Sequence, residues 1–284
     1  MSLKIYGKLP TGERLKRIQA SINYKNGSFQ NLSVTNAMAE DANFFKLMKE
    51  FIHKPKNVTP EKELPHVKTN LKDLGDEAQL VWFGHSSYLL KIDGTVILVD
   101  PVFSGNAAPL SFMIRAFKGS NEYRVEDFPE IDLLILTHDH YDHLDFKTIV
   151  KLKPKVKQVC CTLGVGSHLE HWGIEKNKIE ELDWWEEWTY RNIRITSVPG
   201  RHFSGRGVKR GQSLWGGFVL KFKDYNLFAG GDSGYDSHFK TIGFARRTNR
   251  INPTRNPFRT VRSLRGQIHT AVSCLVSGAR FFFA

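Results

Sequence analysis

The feature that most limits what this chain can become is Thr-His-Asp-His-Tyr-Asp-His-Leu-Asp at 137–145, placed directly after the apolar run Ile-Asp-Leu-Leu-Ile-Leu at 131–136. A short apolar run that gives way to such a density of donors reads as a buried strand stopping at a sheet edge. His138, His140, Asp142 and His143 fall in one six-residue window. Neutral imidazole nitrogen and carboxylate oxygen are the usual protein ligands of divalent transition metals. A polar loop that is His-rich by chance would lack both this spacing and this setting, so the stretch is read as a metal site.

The spacing also speaks to the number of ions. Alternate residues of an extended segment point the same way, so His138 and His140 can converge on one ion while Asp142 and His143 turn toward a neighbouring position. Each half then lacks donors, and two downstream segments offer them. Asn-Ile-Arg-Ile-Thr-Ser-Val is strand-like and leads through Pro-Gly-Arg to His202, and the apolar run Leu-Phe-Ala ends at Asp232 in a Gly-rich turn. A carboxylate at 232 could bridge two ions about 3.5–4 Å apart, the separation used in two-metal hydrolytic sites.

The coarse pattern is that of a layered α/β or α+β chain. Gln79–Phe83, Tyr88–Ile92 and Val96–Val99 read as a meander of short strands, with Asp93-Gly94 as one of its turns. Lys155–Cys161, Ile193–Val198, Ser213–Lys223 and Asn226–Ala229 read as further strands, and Ala37–Phe51 and Leu144–Leu152 as helices. Residues 1–78 carry Pro10, Pro55, Pro60 and Pro65 among many charges, which suits an N-terminal arm packed on a domain at 79–240. A chain of 284 residues is long enough to bury a sizeable core. The N-terminus lacks the apolar core of a signal peptide and no apolar stretch approaches the ~18 residues of a spanning helix, so the expected location is cytoplasmic. Cys160, Cys161 and Cys274 do not make a disulfide framework.

The net charge of +12 is unevenly spread. Residues 1–240 hold 24 Lys, nine Arg and all 29 acids, whereas residues 241–284 hold eight Arg, no Lys and no acid. So abrupt a change of usage, with no apolar period after it, points to a reading frame that slips near Gly243. The functional alternative is a basic arm for nucleic acid or anionic lipid. The frame slip is the preferred account, and no nucleic-acid partner is expected.

His-x-His-x-Asp-His, a later strand-end His202 and Gly-Asp-Ser-Gly-Tyr at 231–235 together resemble the metallo-β-lactamase fold. Within it the chain most resembles the N-acyl-phosphatidylethanolamine-hydrolysing phospholipase D group and its bacterial relatives. The segments that carry this narrower likeness are Val-Trp-Phe-Gly-His-Ser-Ser at 81–87, Val-Asp-Pro-Val-Phe-Ser at 99–104, Glu-Leu-Asp-Trp-Trp-Glu-Glu at 181–187 and Leu-Trp-Gly-Gly-Phe at 214–218. The resemblance implies an α+β fold, an αββα sandwich with two Zn2+ ions. One ion takes His138, His140 and His202, the other Asp142 and His143, with Asp232 between them. It also implies a further His near the C-terminus for the second ion. Residues 241–284 depart from that pattern: His269 lies in an unrelated context, and His238 reads better as an exposed His at a helix start. The second site is therefore expected to be incomplete, and an apolar sheet face to be left uncovered.

Supporting residues follow from position. Asp100, ending Thr-Val-Ile-Leu-Val, and Asp145, just past the motif, each suit either a carboxylate that accepts from a ligand imidazole or a plain turn or N-cap residue. His85 lies near the metals or serves the turn after its strand. Trp184 and Trp185 suit either a substrate groove or the core. Gly230, Gly231 and Gly234 suit the tight backbone around Asp232. Two divalent cations lower the pKa of a shared water toward neutrality, so hydroxide forms without a strong side-chain base. Asp142 is then both ligand and catalytic residue, orienting the nucleophile. The expected function is a zinc-dependent hydrolase of phosphodiesters, a phospholipid or small molecule, with transient contact to a membrane surface. The alternatives are a sugar-phosphate lactonase of the same fold and a truncated, inactive metal-binding chain.

Overall fold

The computed structural model describes residues 3–35, 49, 53, 58–110, 113–120, 122–224, 226–247, 272–273 and 280–283. Two sheets lie face to face. The larger is mixed, in the order β14-β3-β4-β5-β6-β7-β8, with β3 Gln79–Gly84, β4 Ser87–Ile92, β5 Thr95–Val99, β6 Ile131–Leu136, β7 Val156–Thr162, β8 Ile179–Leu182 and β14 Arg280–Phe283. The smaller is antiparallel, in the order β13-β12-β11-β10-β9, with β9 Glu187–Tyr190, β10 Ile193–Val198, β11 Gly217–Lys221, β12 Asn226–Ala229 and β13 Val272–Ser273. A two-residue pair, β1 Tyr24–Lys25 with β2 Ser28–Phe29, belongs to the N-terminal arm.

The period-2 pattern of the strands explains the layers. On β6, Leu133 and Ile135 face the second sheet, where they pack with Tyr88, Val99, Ile195, Phe218 and Leu220. Leu134 and Leu136 of the same strand point the other way and pack with Ile149, Leu152, Val165 and Leu169. These last four belong to or adjoin helices α2, Phe146–Leu152, and α3, Gly166–His171. A strand buried on both faces must be apolar at every position it can spare, which is why 131–136 reads as a continuous run. On the outer face of the smaller sheet, Ile242 of helix α4, His238–Arg247, packs with Val198 and Val219. The order of layers is thus helix, sheet, sheet, helix: an αββα sandwich.

The meander expected at 79–99 forms: β3, β4 and β5 pair antiparallel in sequence. Asp93 and Gly94 both have positive φ, 49° and 69°, as a tight two-residue hairpin turn requires. The expected helix at Leu144–Leu152 starts later, at Phe146, because Asp145 caps it by accepting from Lys147 N. The expected strand Ser213–Lys223 shortens to Gly217–Lys221; Leu214 and Trp215 turn instead into a small cluster with Ile18, Phe29 and Trp184. Two four-residue strands, β8 and β9, and helix α1, Gly12–Ala20, lie outside the sequence expectations. The expected helix at 37–51 falls almost wholly outside the described residues.

The arm expected at 1–78 shares that Ile18–Phe29 cluster with the domain, and Arg14 pairs with Glu170 and Glu181. From the tail, β13 pairs antiparallel with β12, and β14 pairs parallel with β3. Among the described residues no helix is long and apolar enough to cross a membrane.

Candidate metal centre

The site begins where β5 and β6 end side by side. The two strands are parallel, with Val99 opposite Ile135, so the residues that follow them, Asp100 and Thr137, emerge together. Asp100 adopts φ 41°, a conformation that non-glycine residues take rarely. Its carboxylate accepts from Thr137 N at 2.9 Å, Thr137 Oγ1 at 2.6 Å and His143 Nδ1 at 2.7 Å. A hydroxyl that donates to Asp100 is left to accept, and His138 Nδ1 lies 3.1 Å from it. Both imidazoles thereby keep a proton on Nδ1, which leaves Nε2, on the other side of each ring, as the atom that would meet an ion.

Those Nε2 atoms meet donors from elsewhere. His138 Nε2 lies 3.1 Å from His140 Nδ1, and His202 Nε2 lies 3.1 Å from the same atom. His143 Nε2 lies 3.2 Å from Asp232 Oδ1, and His85 Nε2 lies 3.2 Å from Asp142 Oδ2. His202 Nε2 and Asp232 Oδ2, 3.7 Å apart, join the two groups. Two ligands bound to one tetrahedral ion at ~2.0–2.1 Å stand about 3.3 Å apart, so these separations are those of a coordination shell's edges. Within each group, His138-His140-His202 and His85-Asp142-His143-Asp232, one ligand atom per residue lies within 4.8 Å of the others. The donor set of imidazoles and carboxylates fits two divalent transition ions.

Six of these residues, His138, His140, Asp142, His143, His202 and Asp232, are the ones singled out in the sequence, and the fold brings all six together. Asp100 takes the ligand-orienting position of its two alternatives. Asp145 takes the other: it caps α2 and accepts from Thr148 Oγ1 and Ser104 N. His85 stands within the second group rather than behind it. Trp184 is buried and donates to Trp215 O, whereas Trp185 is exposed. His238 starts α4 as expected but is buried rather than exposed, its Nε2 lying 3.1 Å from Ser233 Oγ. Its ring centroid also lies 4.2 Å from that of Phe239. His269 lies outside the described residues. Of the three glycines around Asp232, Gly231 shows a close approach: a Cβ there would fall 2.4 Å from Gly216 O.

Electrostatics favour ion uptake at three of the imidazoles, His138, His140 and His202, and oppose it at His143. Burial, helped by neighbouring imidazoles, holds His138 well below the ordinary histidine value, and burial with His140 brings His202 down to about 4. Burial also lowers His140. Neutral imidazoles carry no proton for an ion to displace. For His143 burial also works downward, but the Asp100 carboxylate overrides it and, in the metal-free site, raises the pKa to about 10. Burial would raise the carboxyl groups of Asp142 and Asp232; the hydrogen bonds from His85 and His143 reverse this and keep both ionised.

A second tier of residues had no signature in the sequence. Asp139 lies in neither donor group, and its carboxylate accepts from Ser213 Oγ, Gly205 N and His168 Nε2. Arg206, 4% exposed, donates to the carbonyls of Asp139 and Leu144 and to Ile5 of the arm. Asn31 grips His202 with its side-chain amide: Nδ2 donates to His202 O at 2.8 Å, and Oδ1 accepts from His202 N at 3.1 Å. Oδ1 also accepts from Trp215 Nε1.

The sequence profile described as a beta-lactamase superfamily domain matches residues 95–247. The chain belongs to this superfamily. An uncharacterized superfamily relative from Mycobacterium tuberculosis is 34% identical over 229 residues, 79% of this chain and 61% of that protein. The N-acyl-phosphatidylethanolamine-hydrolyzing phospholipase D 1 of Caenorhabditis elegans is 30% identical over 226 residues, 71% of this chain and 61% of that protein. The chain thus spans about three-fifths of the length of these curated relatives. Among solved structures it is similar to CmlA, a diiron beta-hydroxylase from Streptomyces venezuelae, at 26% identity and TM-score 0.45, over 60% of this chain and 33% of that one.

Proposed function

We propose that the chain is a two-metal hydrolase, with zinc as the ion and phosphodiesters of the phospholipid class as substrate. The observation that carries the reading is the convergence of donors from four separated segments with the edge lengths of two coordination shells. His138, His140 and His202 would hold one ion, and Asp142 and His143 the other, with Asp232 between. Such a pair of ions supplies Lewis acidity and brings the pKa of water near neutrality.

The chain's own residues do the positioning. Asp100 fixes the tautomer of His143, and Thr137 that of His138. Asp142, with a side chain 39% exposed, stands at the open side of the site, where its ionised carboxylate accepts a hydrogen bond from the attacking water and orients it. The phospholipid class is supported by the activity for which the Caenorhabditis elegans relative is named and by the 181–187 segment. Contact with a membrane surface would be transient and confined to substrate capture.

The test is hydrolysis of bis-(p-nitrophenyl) phosphate and of N-acyl-phosphatidylethanolamine in mixed micelles, beside a panel of sugar-phosphate lactones. Phosphodiester turnover abolished by a chelator and restored by Zn2+ supports the proposal. Turnover of lactones alone would replace it with the lactonase reading, and no turnover by a chain carrying fewer than two ions would favour an inactive metal-binding chain.

The domain reading is that 79–240 forms the metal-binding unit, 1–78 packs on it, and 241–284 is foreign to the family through a frame slip. Support comes from the loss of Lys and acids after 240 and from a family match that takes in the first seven residues of this segment and stops at 247. Sequencing the coding DNA tests it: a neighbouring frame that encodes a family-like continuation is expected, and its absence contradicts the slip.

A further inference from the structure

The second group of donors contains one residue beyond Asp142, His143 and Asp232. It is His85, in the turn between β3 and β4. Its Nε2 lies 3.2 Å from Asp142 Oδ2, the same edge length found in the first group, and its ring centroid lies 5.1 Å from that of His143. The backbone is bent to deliver it. Gly84 and His85 take φ of 104° and 45° in succession, and the β3–β4 register shifts between Trp82 and Gly84. Trp82 Nε1 donates to His85 O and pins the turn. A left-handed histidine costs free energy that an idle turn would avoid with glycine or asparagine, and such conformations gather at functional sites. His238, the nearest alternative in sequence, is engaged with Ser233 and stands outside both groups.

We propose that His85 is a direct ligand of the second ion through Nε2, taking the place for which the resemblance implies a histidine near the C-terminus. The second ion is then held by Asp142, His143 and His85, with Asp232 shared, all from described residues. The proposal rests on the two-metal reading above but can fail without it.

The test is metal binding by the full chain, with no need of turnover. Stripped protein is titrated with Zn2+ against a chromophoric chelator, and with Co2+ by absorption. The wild-type chain is expected to take two ions. His85→Asn, which keeps a side chain suited to the left-handed backbone, is expected to hold the first ion unchanged and the second roughly 100-fold more weakly or not at all. His85→Cys loaded with Co2+ is expected to gain a near-ultraviolet thiolate-to-cobalt charge-transfer band. Two ions of unchanged affinity in His85→Asn, or no such band in a His85→Cys chain carrying two Co2+, would overturn the assignment while leaving the two-metal reading intact. No ion bound by the wild-type chain would overturn both.

Discussion

The Nδ1 atom of His143 donates to Oδ2 of Asp100 at 2.7 Å, and both side chains are fully buried. This pair links the end of one strand to the loop after its neighbour and leaves His143 Nε2 aimed at Asp232. A buried carboxylate behind a ligand imidazole fixes the ring's tautomer and orientation and raises its basicity.

Replacing Asp100 should therefore weaken the second ion, whose His143 it touches, more than the first, whose His138 it reaches only through Thr137. Asp100→Asn is expected to lower affinity for one of two Zn2+ ions by roughly 10–100-fold, read by chelator competition. Equal weakening of both ions would mean that the residue supports the fold rather than His143.

Asn31 makes the matching prediction for the first ion. It lies 171 residues from His202, yet its amide pairs with that residue's peptide N–H and C=O as a neighbouring strand would. Asn31→Ala removes hydrogen bonds worth about 0.5–1.5 kcal/mol each and frees the 202 backbone. The expected result is a Zn2+ affinity lowered at the first ion, with partial rescue in Asn31→Asp, which keeps the acceptor. Unchanged affinity at both ions, with only a lower Tm, would reduce Asn31 to a structural role.

The contrast between these residues shows how much the sequence disclosed. His138, His140, Asp142 and His143 were legible because they are contiguous and follow a strand apolar on both faces. His202 and Asp232 were legible as donors at the ends of two other strands. Asp100 and Asp145 looked alike, being acids just past apolar runs. Only packing separated them: one lies beside Thr137 on a parallel neighbour, the other starts a helix. Asn31, Asp139 and Arg206 carried no local pattern at all. Their roles come from pairings across the chain, such as Arg206 with Ile5, that depend on the completed fold. Of the fold, the apolar strands of the sandwich were legible, whereas the edge strand β8, Ile-Glu-Glu-Leu, has no alternation to read, and the edge strand β9, Glu-Trp-Thr-Tyr, alternates over four residues only.

The stripped site should also make stability depend on pH. Buried His138, His140 and His202 have folded values below the usual 6.5, about 4 for His202, so the unfolded chain takes up protons first as pH falls. Stability of the metal-free protein should then decline from about pH 6.5 toward pH 4. His143, raised to about 10, stays protonated in the folded protein while the unfolded chain protonates it near pH 6.5, so it offsets part of the decline between pH 7 and 6 and adds no slope below about pH 5.5. Below about pH 3.8 Asp139 continues the loss, because its carboxyl is held below the usual value by the His168 hydrogen bond against the opposing effect of burial. Urea midpoints at pH 7, 6, 5 and 4 check the trend. His202→Ala should flatten it, and a midpoint constant from pH 7 to pH 4 in the stripped wild type would contradict it.

The most direct measurement is the metal content of the purified wild-type chain beside His202→Ala, under identical loading and desalting. Two ions per wild-type chain and one per variant chain are predicted, since His202 would belong to the first ion alone. No bound ion in the wild type, or two retained in the variant, would contradict the claim that these scattered donors form a two-metal centre.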